Sequence, residues 1–398
     1  MKNYDRVCAY ISLDAILENA KAIKTNIDKN TNIIAVVKTD AYGHGVVPVS
    51  RELEKLDFIH GFAVATAEEA LMLRERGVRK MIIILGYTFP YSMEELIQNE
   101  IRFTVFRQDT VMEIEKIARQ MNKTAYVHIK IDTAMSRIGI RPDDNGVQFI
   151  KDVLSMEHIQ TEGIYTHFAK ADELDKTPAY DQFEKFLAFV KKAEQDCHYS
   201  FPLKHCANSA GSIEMKEANL DLVRAGIALY GLWPSNEVRK DIVKIRPVLS
   251  LKSHIIYIKE IEKGTQISYG GTFEAKEKMK IATIPVGYGD GYPRALSNRG
   301  FVLIRGKRAE ILGRICMDQF MVNVSQIPEV LEGDEVTLVG QDGTETITME
   351  ELGDISGRFN YELACDLGKR IPRIFLKEGK IVAARDYSHD STVFFDED

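Results

Sequence analysis

The sequence predicts an α/β region over residues 1–235 and a mostly β region over residues 236–385, followed by an acidic tail over 386–398. Three observations carry that division. Short runs rich in Val and Ile alternate with longer amphipathic stretches through the first half. Those short runs are apolar on both faces, as buried parallel strands are. Past about residue 235 the texture changes to alternating or β-branched runs separated by Gly-rich turns, which reads as an all-β domain.

Taken in order, residues 14–28 place Ile16, Ala20, Ile23 and Ile27 on one helical face, with Asp14 as the expected N-cap. "NIIAVVK" (32–38) follows as a strand, then "GFAVA" (61–65). Thr66 to Glu69 reads as a capping box opening a helix that stops at Gly77. "KMIIIL" (80–85) is a strand, 91–99 a helix, "FTV" (103–105) a strand, and 108–121 a helix. "AYVHIKI" (125–131) and "TEGIYTHF" (161–168) are strands. Thr177-Pro178 supplies an N-cap and a proline at the first helical position, on a helix carrying Phe183, Phe186, Leu187 and Val190 inward. "LKHCA" and "LDLVRAG" complete eight strand candidates. Such alternation permits a (β/α)8 barrel or a doubly wound sheet. No GxGxxG follows a strand and no Walker A sequence appears, which argues against a nucleotide-binding doubly wound domain. Helical texture returns at 348–358, and the end, "DYSHDSTVFFDED", is expected to be a loose tail.

Composition excludes several function classes. The net charge is −7 and no basic stretch suggests a nucleic-acid-binding face. Cys8, Cys197, Cys206, Cys316 and Cys365 are scattered and form no CxxC pair, so neither a zinc ribbon nor a redox dithiol is encoded. Free thiols in a reducing compartment are expected. The start lacks the pattern of a signal peptide, and no apolar run reaches the length of a membrane span. These features lead to the expectation of a soluble cytoplasmic protein without a membrane or metal partner.

Candidate chemistry sits where strands end. In a parallel α/β barrel the C-terminal ends of the strands carry the active site. Lys38 ends the apolar run Ile33–Val37, where partial desolvation would lower its pKa and free an amine for attack on a carbonyl. Alone it is more simply a lysine whose head reaches solvent. Lys130 and Arg137 lie at and beyond another strand end, and an arginine there can grip a carboxylate with two parallel hydrogen bonds. His167 is at a third. "HCANSAG" offers His205, Asn208 and Ser209 in a small-residue loop suited to phosphate, and Arg224 precedes Gly226, whose backbone can approach an anion. Any one of these is ordinary. Their recurrence at successive strand ends is hard to explain by stability.

"AVVKTDAYGHG" closely resembles the cofactor-lysine motif of bacterial alanine racemases, pyridoxal phosphate (PLP) enzymes of fold type III. The resemblance continues, in order, through "DTAMSRIG", "THFAKADE", "HCANSAG", "LVRAGIALYG", "ISYGGTF", "VGYGDGYPR", "GRICMDQ" and "NYELACDLGKRIPR". It implies a TIM-type (β/α)8 barrel followed by a mostly β domain, with roughly the first ten residues packing on the latter, and a head-to-tail homodimer. Lys38 would hold PLP as a Schiff base. Tyr42, Ser209, Tyr361 and backbone groups near Gly226 and Ile227 would hold the phosphate. Arg224 would face the pyridine nitrogen, with His205 supporting it. Tyr269 would come from the partner subunit and stand across the cofactor from Lys38, hydrogen-bonded to His167. Arg137 and the backbone of Met317 would grip the substrate carboxylate, and Tyr288 would line the entrance with Tyr361.

These residue types suit racemisation, which needs bases on opposite faces of Cα. The resemblance implies that Lys38 handles the D-antipode's proton and Tyr269 the L-antipode's. A phenol with its ordinary pKa near ~10 is a poor base, and cationic neighbours linked through His167 and Arg224 would lower it. An arginine at the ring nitrogen cannot readily supply a proton, so the ring should be a weaker electron sink, restraining side reactions. The chain departs from the pattern at Thr39, where many relatives have alanine, and at Ala134 and Ser136, where glycines are frequent. Lys130 matches a position that some relatives carry carbamylated; an ordinary ion-paired lysine is the alternative. Tyr361 stands where serine-racemising relatives can have asparagine, which favours alanine over serine. A fold-type-III decarboxylase and a non-catalytic PLP carrier are the rival readings; the first calls for a carboxylate at the ring nitrogen, and the second does not need the β-domain. The family role implied is supply of D-alanine for peptidoglycan, while a catabolic or spore-associated role uses the same motifs.

Overall fold

The computed structural model describes residues 6–389 and 391–395, which divide into two compact units. One unit comprises Ile16–Ala41 and Val49–Ile245. The other combines the chain up to Ala15, the segment Tyr42–Pro48, and the chain from Arg246 onward. The first strand, β1 (Val7–Ser12), belongs to the second unit.

The first unit is a barrel. Its strands are β2 (Asn32–Val36), β3 (Ile59–Val64), β4 (Met81–Ile84), β5 (Phe103–Val105), β6 (Ala125–Lys130), β7 (Ile159–Tyr165), β8 (Leu203–His205) and β9 (Leu222–Ala225). They form one eight-stranded sheet in the order β4-β3-β2-β9-β8-β7-β6-β5. Every pair in it is parallel. A parallel bridge between Ile83 and Arg102 joins the two remaining edges. The Ile84 N–H donates to the Arg102 carbonyl at 3.0 Å, and the Arg102 N–H to that of Ile82 at 2.8 Å. Closure removes the exposed edges of an open sheet. Helices connect the strands because each intervening segment has an apolar stripe at helical spacing. Gln108–Met121 buries Val111, Ile114 and Ala118, and ends on Asn122 in the left-handed conformation.

Several local expectations need correction. The first helix, Leu13–Asn26, is capped by the Ser12 hydroxyl, which accepts from the Ala15 N–H at 3.2 Å. Asp14 lies within the first turn, and its carboxylate accepts from the Glu378 N–H at 2.7 Å. Only half of the capping box forms: Thr66 Oγ1 accepts from the Glu69 N–H, and the Glu69 carboxylate turns elsewhere, as shown below. Thr177 is the first residue of the helix Thr177–Cys197, with Lys176 at the cap position. On that helix Leu187 is 38% exposed and Phe189 takes its inward place at 4%. The 3.6-residue period puts positions 183, 186, 189/190 and 193 on one stripe, and 187 falls just outside it.

The second unit is built on a long sheet. Leu249–His254 pairs antiparallel with β1 on one side and with Glu335–Asp342 on the other. From there the sheet continues through Phe301–Ile304, Lys307–Leu312, Phe320–Asn323, Met279–Ile284 and Tyr257–Ile261. Across β1 it runs on in parallel to Arg373–Lys377, then antiparallel to Lys380–Asp386 and Ser391–Phe394. That last strand corrects the loose-tail expectation for its residues. Ser-Thr-Val-Phe carries β-branched and aromatic side chains that suit a ladder, and the flanking acids masked the signal. Asp390 and residues 396–398, the rest of the acidic tail, lie outside the described residues. Helices Met349–Ser356 and Asn360–Asp366 precede the Arg373 strand. No helix among the described residues is long and apolar enough to cross a membrane.

Candidate active site

β2 hands the chain to a left-handed turn. Thr39, Asp40, Ala41 and Tyr42 have φ of 54°, 51°, 55° and 53°. Left-handed backbone costs about 1–2 kcal/mol for each such residue, so four in succession require support. The Ala41 N–H donates to the Val37 carbonyl at 2.9 Å. The Tyr230 hydroxyl fixes the strand end by donating to the Val36 carbonyl at 2.9 Å. Glu69 explains its missing half-box here: its carboxylate accepts from the Thr39 N–H at 2.5 Å and from the Ala65 N–H at 2.8 Å. Lys38 thus leaves the strand half-buried, at the head of a turn held from two neighbouring elements, through Tyr230 and Glu69.

Around it the barrel gathers positive charge. Arg224, on β9, is 2% exposed. Its Nη1 donates to His205 Nδ1 at 2.7 Å. Its Nη2 donates to the carbonyls of Thr166 at 2.8 Å and Cys206 at 3.0 Å, and reaches His167 Nδ1 at 3.1 Å. All four acceptors are neutral. His167, just beyond β7, is held well below the usual imidazole pKa by burial first, then by the charges of Arg224, Arg137, Lys130 and Lys38. It is therefore neutral, with its Nδ1 lone pair on Arg224 and its proton on Nε2. Arg224 is thus the cation of this pair, and His167 its neutral partner. Lys130, at the end of β6, is buried and donates to the Ile131 carbonyl at 2.6 Å. Burial, with the Arg224 charge second, lowers its ammonium to about 7.

Arg137 stands exposed on the loop after β6. Asp132 organises that loop by accepting from the N–H groups of Ala134 at 3.2 Å and Ser136 at 3.0 Å. Ser136 has a φ of 53°, the conformation that glycine takes most readily. The Asp132 contact lets a serine occupy it. At the other side, Asn208 caps the helix Ser209–Glu214, its side chain accepting from the Gly211 N–H at 3.0 Å. Ser209 Oγ accepts from the N–H groups of Gly226 at 2.9 Å and Ala228 at 3.4 Å. Its own proton remains available to donate, beside the first amides of the 3-10 turn Ile227–Tyr230.

This donor set fits PLP. A hydroxyl proton and backbone amides at the start of a turn suit a phosphate ester, and lysine and arginine charges suit its dianion. Arg224 meets these four acceptors through Nη1 and Nη2, and its Nε–H suits an acceptor such as a ring nitrogen.

The arginine also heads a buried chain. His205 Nδ1 accepts from Arg224, so its proton is on Nε2, which lies 3.0 Å from His128 Nδ1. His128 then carries its proton on Nε2, 3.8 Å from Glu162 Oε2, longer than a hydrogen bond. Arg102 grips Glu162 with two bonds of 2.8 and 2.9 Å. Tyr165 stacks on His205 at 4.6 Å and 8°, its hydroxyl paired with Thr104 at 2.9 Å. Burial lowers both His205 and His128, so both imidazoles stay neutral. Burial raises the Glu162 carboxyl, but the contacts with His128 and Arg102 outweigh it and bring it to about 2.

A folded pKa of about 2 against an ordinary 4.5 means that Glu162 stabilises the fold fully above pH 4.5, and that this is lost as pH falls through 2. Glu162→Gln is expected to lower stability at pH 7 by roughly 3 kcal/mol and to change it little near pH 2. Denaturant unfolding at the two pH values measures this; equal losses at both would refute the assignment.

The second unit assembles its own group of predicted residues. Tyr42 and Tyr361 meet edge to face at 6.1 Å, and Phe359 stacks on Tyr361 at 4.3 Å. The loops of "VGYGDGYPR" and "GRICMDQ" pair backbone to backbone: Tyr288 N–H donates to the Cys316 carbonyl at 3.1 Å, and Gly289 N–H to that of Met317 at 2.8 Å. A Cβ on Gly287 would fall 2.3 Å from both carbonyl oxygens, so the approach requires glycine. Ser268, at φ 64°, bonds the Arg314 carbonyl at 2.5 Å and so fixes the residue before Tyr269 on that strand group. Tyr269 is 69% exposed and Met317 52%.

Sequence reasoning missed His128, Glu162, Arg102 and Tyr165. The available signal was a histidine and a glutamate set in the middle of otherwise apolar strands, "AYVHIK" and "IQTEGIY".

A parallel barrel whose strand ends collect lysine, arginine and neutral imidazoles is suited to holding an anionic ligand there. Residues 11–234 match the family model described as alanine racemase, N-terminal domain, and residues 248–375 the alanine racemase C-terminal domain. The chain is 44% identical over 373 residues to the alanine racemase of Methanococcus maripaludis, covering 93% of this chain and 98% of that protein. It superimposes on the alanine racemase of Clostridium difficile 630 with a TM-score of 0.92 at 38% identity, over 97% of this chain and 100% of that one. The Bacillus anthracis enzyme with bound L-Ala-P gives 0.92 at 37%, over 98% and 100%. The chain belongs to the alanine racemase family.

Proposed function

We propose that this chain interconverts L-alanine and D-alanine, with PLP carried on Lys38, as a cytoplasmic homodimer supplying D-alanine for peptidoglycan. The observation that carries the reading is Arg224, a buried cation at the end of β9 with only neutral acceptors around it. A decarboxylase of this fold type calls for a carboxylate there. PLP, when bound, supplies an electron-withdrawing ring that makes the substrate Cα–H acidic. Arg224 Nε–H orients the ring nitrogen. Ser209, amides near Gly226 and Ile227, Tyr42 and Tyr361 hold the phosphate. Arg137 and the Met317 backbone bind the substrate carboxylate, and Tyr288 with Tyr361 narrows the entrance. Lys38 exchanges the proton on one face of Cα, and the partner subunit's Tyr269 on the other. His167 offers its Nε2–H to that phenol and, through Arg224, couples it to a fixed positive charge that favours the phenolate.

Incubation with L-alanine in deuterated water tests this directly. D-alanine carrying solvent deuterium at Cα is expected, faster than the same conversion of L-serine. Release of CO2 would replace racemisation with decarboxylation, and absence of turnover would favour a carrier.

Lys130 belongs to the same reading. An ammonium with a pKa of about 7 is half neutral at physiological pH, as attack on CO2 requires. The resulting carbamate would be an anion placed among Arg224 and Arg137. Protein equilibrated with 13C-bicarbonate is expected to show a carbamate carbon resonance that Lys130→Ala lacks; an unchanged spectrum would leave Lys130 an ordinary lysine.

A further inference from the structure

We infer that Arg373 is a positioning residue that sets the two tyrosines of the phosphate site. Arg373 is 1% exposed and makes four hydrogen bonds, all to backbone carbonyls. Its Nε donates to Gly43 at 3.0 Å. Its Nη1 donates to Gly368 at 2.9 Å and Ile371 at 2.5 Å, and its Nη2 to Leu367 at 2.6 Å. Gly43 directly follows Tyr42. Leu367 and Gly368 directly follow the helix Asn360–Asp366, which carries Tyr361. One guanidinium therefore clamps the backbone next to both tyrosines.

Other contacts make the clamp rigid. A Cβ on Gly43 would lie 2.0 Å from the Ala364 carbonyl oxygen, and one on Gly45 would lie 2.5 Å from the Phe375 ring. The segment 43–45 is thus pressed onto the Tyr361 helix and the Arg373 strand, within this unit. His44, 1% exposed, ties back to the Tyr42 carbonyl at 2.9 Å. A buried arginine is costly, and the four carbonyls, with the Tyr387 ring 5.1 Å from its Cζ, offset that cost only in part. What it does supply is direction: a planar fork whose nitrogens reach four acceptors on two segments, which a lysine ammonium with three donors cannot match.

The consequence is specific. With Gly43 unclamped, the Tyr42 ring is free to drift from its 6.1 Å, edge-to-face station against Tyr361. Both hydroxyls then lose registration on a phosphate, while the pyridine end is untouched. This inference rests on the reading of Tyr42 and Tyr361 as phosphate contacts.

The test is a cycle on the full chain reconstituted with PLP or with pyridoxal, which lacks the phosphate. Retention is followed by the absorbance of the lysine-bound cofactor. Arg373→Lys is expected to weaken PLP retention about tenfold or more and to leave pyridoxal retention within about twofold. In a Tyr42→Phe/Tyr361→Phe background the same substitution is expected to add nothing. Equal weakening of both cofactors, or an undiminished effect in that background, would overturn the inference. If Tyr42→Phe/Tyr361→Phe itself fails to separate PLP from pyridoxal, the phosphate reading fails instead, which is a distinct result. Should Arg373→Lys not fold, Arg373→Gln, which keeps two N–H donors without the charge, enters the same cycle.

Discussion

Lys38→Ala is expected to abolish racemisation, with a loss above about 10⁴-fold, because one residue holds two duties. On the proposed mechanism, the amine that carries the cofactor is also the base for one face of Cα. Removing it takes away attachment and proton transfer together. Borohydride treatment of the wild-type holoenzyme should trap the cofactor on the peptide containing Lys38, and the variant should trap none. An adduct surviving on another lysine would sink the assignment. The fold should tolerate the change, because the turn that follows is held through Thr39, Ala41 and Val36 backbone groups rather than through the lysine.

Tyr269→Phe should cost about 10²–10⁴-fold in racemisation, the usual worth of a positioned general base, and leave cofactor absorbance intact. The loss should be lopsided. D-alanine should still exchange its Cα hydrogen with solvent through Lys38, whereas exchange from L-alanine should stop. Equal slowing of both exchanges would remove Tyr269 from a one-face role. Mixing the two variants tests sharing between subunits. If the partner subunit's Tyr269 completes each site, random re-pairing of Lys38→Ala with Tyr269→Phe chains recovers about a quarter of wild-type activity, since half the dimers are mixed and each holds one complete site. A site completed within one chain recovers none.

Much of this molecule could be read before its coordinates were known. Eight apolar runs become the barrel strands, and the helix over 108–121 starts and stops where its period does. Lysine and arginine side chains at strand ends were visible because charge is conspicuous after an apolar run. What could not be read depends on distance or on rare backbone. Glu162, His128 and Arg102 come together from three separate strands or strand ends, β7, β6 and the residue before β5, with Arg102 and Glu162 60 residues apart. Four left-handed residues after Lys38 have no local signature, since Thr, Asp, Ala and Tyr ordinarily avoid that region. Only the flanking Gly43 and Gly45 hinted at it. Leu187 was misplaced for a simpler reason: it lies one position off the buried stripe, which Phe189 completes.

The surroundings of Arg224 bear on how the enzyme should respond to acidity. A guanidinium keeps its proton across the whole working range. The imidazoles touching it are kept uncharged by burial, and the nearest carboxylate on its chain, Glu162, stays ionised down to about pH 2. Lys130 is the exception at that end of the barrel: its ammonium, lowered to about 7, loses its charge between acid and alkali. The charge that Arg224 sets against a bound ring is thus a constant, and a change of field there with pH traces to Lys130.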